Sequence, residues 1–187
     1  MSIARPIPTD IEIKLDPKKM LVSKTDTTGK IIYGNDYFCE VSGYKEGELI
    51  SSPHSILRHP DMPKAIFYLM WEHINNGRNI MAVVKNMAKN GNYYWVTTDF
   101  DMKRDKLGNI KYFVAYRQAT PAHVIEKMDQ LYTKLLAIEK DHDMKASIAY
   151  LEAYLEEKRM NYDQFIEELA KPRGFAAVLF AKMKKLF

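Results

Sequence analysis

Lys89-Asn90-Gly91-Asn92 constrains the fold of this chain more than any other short stretch. Asn-Gly between two apolar segments is the strongest short-range sign of a tight hairpin, because a type I′ turn needs positive φ at both central residues. The flanking segments, 79–88 and 93–103, should therefore pair antiparallel. Thr27-Thr28-Gly29-Lys30 repeats the signal between Leu21–Ser23 and Ile31–Tyr33. A further strand, Lys111–Gln118, follows the turn at Gly108-Asn109. Between the hairpins, Asn35 is placed to cap a short helix from Asp36 to Val41, which Gly43 stops. Glu46–Leu49 reads as one more helical turn. Residues 63–76 carry Ile66, Leu69, Met70 and Ile74 at helical spacing, with Pro63 in the first turn and Gly77 past the last. Strands, short helices, one longer helix and more strands make an α+β domain on an antiparallel sheet.

After Thr120-Pro121 the sequence turns charged and helical. Val124, Met128, Leu131, Leu135 and Ile138 recur at a/d spacing, a seam suited to docking or dimerisation. Asp141-His142-Asp143 interrupts it. Ile148, Leu151, Leu155, Tyr162, Ile166 and Leu169 then mark a second amphipathic helix, ended by Lys171-Pro172-Arg173-Gly174. The apolar, cationic tail Phe175–Phe187 is too short to span a bilayer, and it fits a protein contact better than a lipid surface.

Composition narrows the function classes. With 187 residues, 47% of them hydrophobic, the chain can bury a sizeable core. A net charge of +4 without a dense basic stripe gives no argument for nucleic acid. The single Cys39 rules out an internal disulfide and a multi-cysteine metal site. The expected location is cytoplasmic, given no leader-like or membrane-spanning run, with recruitment to the inner face of the cell membrane through residues 175–187 as the alternative.

Pro53-His54-Ser55-Ile56-Leu57-Arg58-His59-Pro60-Asp61-Met62-Pro63 crowds two imidazoles, a guanidinium and a carboxylate into a stiff loop. Its prolines prevent one regular element. It leads into the long helix, whose N-terminal N–H groups favour anions, so a phosphate-bearing cofactor is the first ligand to consider. The spacing of His54, His59 and Asp61 fits no common metal signature.

These motifs carry a family resemblance. Residues 20–120 resemble the PAS sensor domain of bacterial aerotaxis (energy-taxis) receptors. The match runs through Thr25-Asp26, Gly29-Lys30-Ile31, Asn35-Asp36, Val41-Ser42-Gly43-Tyr44, Glu48-Leu49-Ile50 and the Pro53–Pro63 loop. It continues through Trp71, Val84-Lys85-Asn86, Lys89-Asn90-Gly91 and Tyr94-Trp95-Val96. The resemblance implies a five-stranded antiparallel sheet with helices across one face, here preceded by an arm (1–19) and followed by an α-helical extension (121–187). It implies non-covalent FAD, and it maps flavin contacts onto Asn35, His54, Arg58, His59, Asp61, Trp71, Lys85 and Asn86. In that mapping Asn86 meets the polar edge of the ring, Trp71 offers it a flat face, Arg58 and Lys85 pair with pyrophosphate, and Asp61 orients Arg58 or His59.

One departure is plain: where these receptors carry a second tryptophan, this chain has Asn79-Ile80-Met81-Ala82. Cys39 lacks the Gly-x-Asn-Cys-Arg setting of the light-sensing relatives, so adduct photochemistry is not expected. The resemblance thus implies a redox sensor, not an enzyme. The expected partner is a separate membrane-bound, methyl-accepting chemotaxis transducer lacking its own PAS sensor. A homodimer through the N-terminal arm or the C-terminal helices is the other contact considered. The alternatives are a haem-based gas sensor, with His54, His59 or His73 as axial ligand, and a cofactor-free interaction module.

Overall fold

The computed structural model describes residues 5–170. The strands are β1 (Leu21–Thr25), β2 (Ile31–Gly34), β3 (Met81–Met87), β4 (Tyr93–Arg104) and β5 (Ile110–Ala119). They form one antiparallel sheet in the order β2-β1-β5-β4-β3. Between β2 and β3 lie the helices α1 (Asp36–Ser42), α2 (Glu46–Leu49) and α3 (Lys64–Asn75), with a 3-10 turn over His54–Leu57. After β5 come α4 (Ala122–Asp141), α5 (Met144–Glu157) and α6 (Tyr162–Ala170).

Local chemistry accounts for the junctions. Asn35 Oδ1 accepts from the Phe38 N–H, capping α1, and Gly43 ends that helix in the left-handed region. Gly29 has φ +83, and the Trp71 ring passes so close that an added Cβ would crowd it. Pro63 is the N-cap of α3 with extended backbone, so the helix starts at Lys64, one residue later than the sequence suggested. The second C-terminal helix expected from the sequence is two. Arg159 turns at φ 54, and Asn161 and Gln164 bond reciprocally to each other's backbone N–H to start α6.

Strand alternation divides the sheet. Val84, Asn86, Tyr94, Thr98, Phe113 and Arg117 share the face towards α1–α3, whereas Lys85, Trp95, Val114 and Tyr116 share the other. Both edges are covered. The β2 edge receives residues 51–53 through the bonds Ile31 N–H to Ser52 O and Ser51 N–H to Ile31 O. At the β3 edge, Tyr132 of α4 donates to Val83 O (2.6 Å) and Asp163 of α6 accepts from the Met81 N–H (3.1 Å). The arm runs beside the start of β4, joined by Ile13 N–H to Tyr93 O and Tyr93 N–H to Ile11 O.

The a/d seam of α4 is consumed inside the chain. Val124, Met128, Leu131 and Leu135 are buried in the main core, with Leu151 and Leu155 of α5 and Phe165 and Ile166 of α6. Those residues are therefore not a free dimer surface. The tail 175–187 lies outside the described residues. Among the described residues no helix is long and apolar enough to cross a membrane.

Candidate functional site

A cavity of about 530 Å³ opens between the sheet's inner face and α3. That volume falls in the range of small-molecule sites, roughly 300–1,000 Å³. Of the residues mapped from the sequence, His54, Arg58, Trp71 and Asn86 line it. Apolar surface comes from Phe67, Trp71, Phe100 and Phe113, and the indole of Trp71 meets Phe113 edge-on at 6.1 Å between centroids.

The polar end is built by residues the sequence reading did not select. Arg117, 2% exposed, projects into the cavity from β5. Its guanidinium donates to His54 Nε2 (2.8 Å) and Ser23 Oγ (2.9 Å), with Ala115 O at 3.4 Å, and none of these partners is a carboxylate. Desolvation, then the neighbouring Arg117 charge, pushes His54 down to about 3. The ring is therefore neutral, and because guanidinium only donates, Nε2 is the acceptor and the proton sits on Nδ1. Burial lowers Arg117 to about 10, so it keeps its charge. Next to it, Asn86 Nδ2 and Thr98 Oγ1 are buried and outside hydrogen-bonding geometry with any described residue, and the buried Tyr94 hydroxyl lies beside Asn86 as its nearest polar neighbour. Buried polar atoms are rarely left so. A site with a fixed positive charge and unpaired donors suits a planar ligand with an electron-rich polar edge.

Arg58 stands at the mouth, its guanidinium 4.0 Å from the Phe67 ring centroid. Desolvation lowers its pKa, with Arg5 adding to the effect and Glu139 opposing it. Lys64 lies on the same rim.

The remaining mapped residues are elsewhere. The side chain of Asn35 is occupied by Phe38 N–H, Val22 N–H and Met20 O, joining α1 to β1. Asp61 pairs with Lys85 Nζ (2.8 Å) on the far side of β3, where Lys85 also sits over the Tyr93 ring. His59 is buried there too, accepting from the Asp61 N–H and meeting Tyr93 edge-on. Asp61 thus orients His59 and Lys85 rather than Arg58, and Lys85 points away from the cavity. Alternation explains the last point, since neighbours in a strand face opposite sides. Neither Ile80 nor Ala82, in the stretch that lacks the second tryptophan, lines the cavity, and both are buried.

The anion site expected at the start of α3 is filled by the protein itself. The carboxylate of Glu139 accepts from the Lys64 N–H (2.9 Å) and the Ala65 N–H (2.8 Å). A ligand phosphate would have to look to Arg58 and Lys64 side chains instead.

Comparison with known proteins agrees with this fold. Residues 31–117 match the family model described as the PAS fold. This is a PAS domain. The chain is 37% identical over 135 residues to the aerotaxis receptor of Escherichia coli K12, covering 72% of this chain and 26% of that protein. It is 23% identical over 104 residues to a nitrogen fixation regulatory protein of Klebsiella pneumoniae, covering 56% of this chain and 21% of that one. Among solved structures, the light-state LOV domain of the blue-light photoreceptor Aureochrome1 superposes with a TM-score of 0.53 at 19% identity. That match covers 63% of this chain and 91% of the other. Cys39 is on α1 and does not line the cavity.

Proposed function

We propose that this chain is a cytoplasmic redox sensor that holds FAD in the PAS cavity and signals to a methyl-accepting chemotaxis transducer. The observation that carries the cofactor is the buried guanidinium of Arg117 beside the unpartnered Asn86 Nδ2 and Thr98 Oγ1. A bound flavin would supply reversible electron uptake at a ring whose polar edge changes its hydrogen-bonding with oxidation state. Asn86, Thr98 and Arg117 would hold that edge, Trp71 and Phe113 the apolar ring, and Arg58 and Lys64 the phosphates at the mouth. Homology to an aerotaxis receptor supports the sensory role.

Haem fits less well. His59 and His73 do not line the cavity, and His54 Nε2 is engaged by Arg117.

The route outward is short. Asn86 and Val83 share β3, and Val83 O is held by Tyr132 of α4. A change in hydrogen bonding at Asn86 that shifts β3 would be felt by the C-terminal helices. The reading is of a sensor without turnover.

The test is an absorption spectrum of protein purified without added cofactor, followed by chromatography of the heat-released ligand. Flavin bands and released FAD are expected. A Soret band, or colourless protein that does not take up added FAD, would overturn the reading.

A further inference from the structure

The mouth of the cavity is lined from two parts of the chain. Lys64, Tyr68 and Trp71 follow one another at i, i+4 and i+7 along one stripe of α3. Met144, the first residue of α5, adds to the same lining from the C-terminal extension. One turn further along α5, Ile148 shares a cleft with Ala65, Tyr68 and Leu69, so Tyr68 borders both the cavity and the junction of α3 with α5. Glu139 fixes this junction, because its carboxylate holds the Lys64 and Ala65 N–H groups. The two aromatic rings on the stripe differ in what occupies them. Trp71 is 38% exposed, meets Phe113 edge-on and lies against Gly29, whereas Tyr68 is 50% exposed. A flat ring is thus left open at the entrance to a ligand cavity.

We infer that Tyr68 and Met144 seat the adenine base of FAD, so that the protein selects the dinucleotide over FMN; the inference rests on the proposed flavin site. In that site Asn86, Thr98 and Arg117 take the ring edge deep in the cavity, and Arg58 and Lys64 take the phosphates at its mouth. A base joined to those phosphates lies beyond them, outside the cavity. Tyr68 is one turn of α3 past Lys64, about 6 Å along the helix axis, within reach of a base attached through one ribose. Stacking on an open ring suits a neutral heterocycle that stays partly in water, since every base has a π-face. Met144 brings a polarisable thioether to the same rim, and such sulfurs make favourable contacts with aromatic rings. FMN ends at its phosphate and gains neither contact. The C-terminal helices then touch the ligand directly, through the residue that opens α5.

The test strips the full chain of ligand and titrates it with FAD and with FMN, read by flavin fluorescence. The parent should bind FAD more tightly. Tyr68→Ala should lower FAD affinity about 5- to 150-fold, the range for removing one base–aromatic stack, and keep the affinity for FMN. Tyr68→Trp, which preserves a flat ring, should keep both. Met144→Ala should lower FAD affinity about 2- to 10-fold. In the parent, the methyl resonance of Met144 should move much further with FAD than with FMN. Equal losses for the two flavins in the alanine variants, or none, would overturn the inference. So would a parent that holds the two flavins equally, a result that leaves the flavin site itself standing. A parent that takes up neither flavin would overturn the flavin site and this seat together.

Discussion

Arg117 and His54 meet across 2.8 Å, guanidinium to ring nitrogen, with no proton to spare on the histidine side. Burial first, and then the Arg117 charge, keeps His54 neutral, and no carboxylate is among the residues that line the cavity with Arg117. That one relationship accounts for much of what the site can recognise.

It sets a pH dependence. His54 is held at about 3 in the folded chain, against an ordinary value of 6.5. As pH falls below 6.5 the unfolded chain takes the proton and the folded one does not, so stability is full above that value and is lost towards pH 3. His54→Asn keeps an acceptor for Arg117 but cannot titrate. Its unfolding free energy in urea should fall less steeply between pH 6.5 and 4, by up to about one proton of slope. An unchanged slope would show that His54 titrates normally.

Removing the charge from Arg117 separates binding from folding. Arg117→Gln retains a donor near His54 but gives up the guanidinium. Charge-assisted hydrogen bonds are worth about 1.5–3 kcal/mol, so flavin affinity should fall about 10- to 100-fold. The cofactor-free protein should be as stable as the parent or more so, because an uncompensated buried charge is costly. Equal flavin retention in titration of the two proteins would remove Arg117 from the site.

Glu139 makes α3 a capped helix at a distance of many residues. Glu139→Ala exposes the Lys64 and Ala65 N–H groups and should cost about 0.5–2 kcal/mol, read from thermal or urea unfolding. Sulfate should recover part of that loss in the variant and have less effect on the parent, since the vacated helix end accepts anions. Equal salt response would argue against the cap.

Tyr132 ties α4 to the β3 edge. Tyr132→Phe leaves Val83 O buried without its donor, which should cost about 1–3 kcal/mol. If β3 passes the state of Asn86 to α4, amide exchange in α4 should respond to flavin reduction in the parent and respond less in this variant. The same response in both would place the route elsewhere.

Much of this was readable from residue order. Asn90-Gly91 and Thr28-Gly29 announced the hairpins, and β4 was expected to within a residue of its observed end. Asn86 stood out because an amide among Val83, Val84 and Met87 needs a reason. Arg117 should have stood out equally. The alternation that turns Phe113 and Ala115 inward also turns Arg117 inward. The same rule separates Lys85 from Asn86. The break before α6 had its own sign in the Asn161–Gln164 spacing, which the apolar periodicity across it obscured.

Sequence alone determined the α+β class, the hairpins, the caps and the family, because those depend on residues a few positions apart. Only the tertiary structure decided which polar groups face one another. His54 and Arg117 are far apart in sequence, as are Glu139 and Ala65, and each pair exists because the packing of sheet and helices removes water from between them. The crowded Pro53–Pro63 loop illustrates the division: its composition marked a site, but folding sent His54 and Arg58 to the cavity and His59 and Asp61 to the other side of β3.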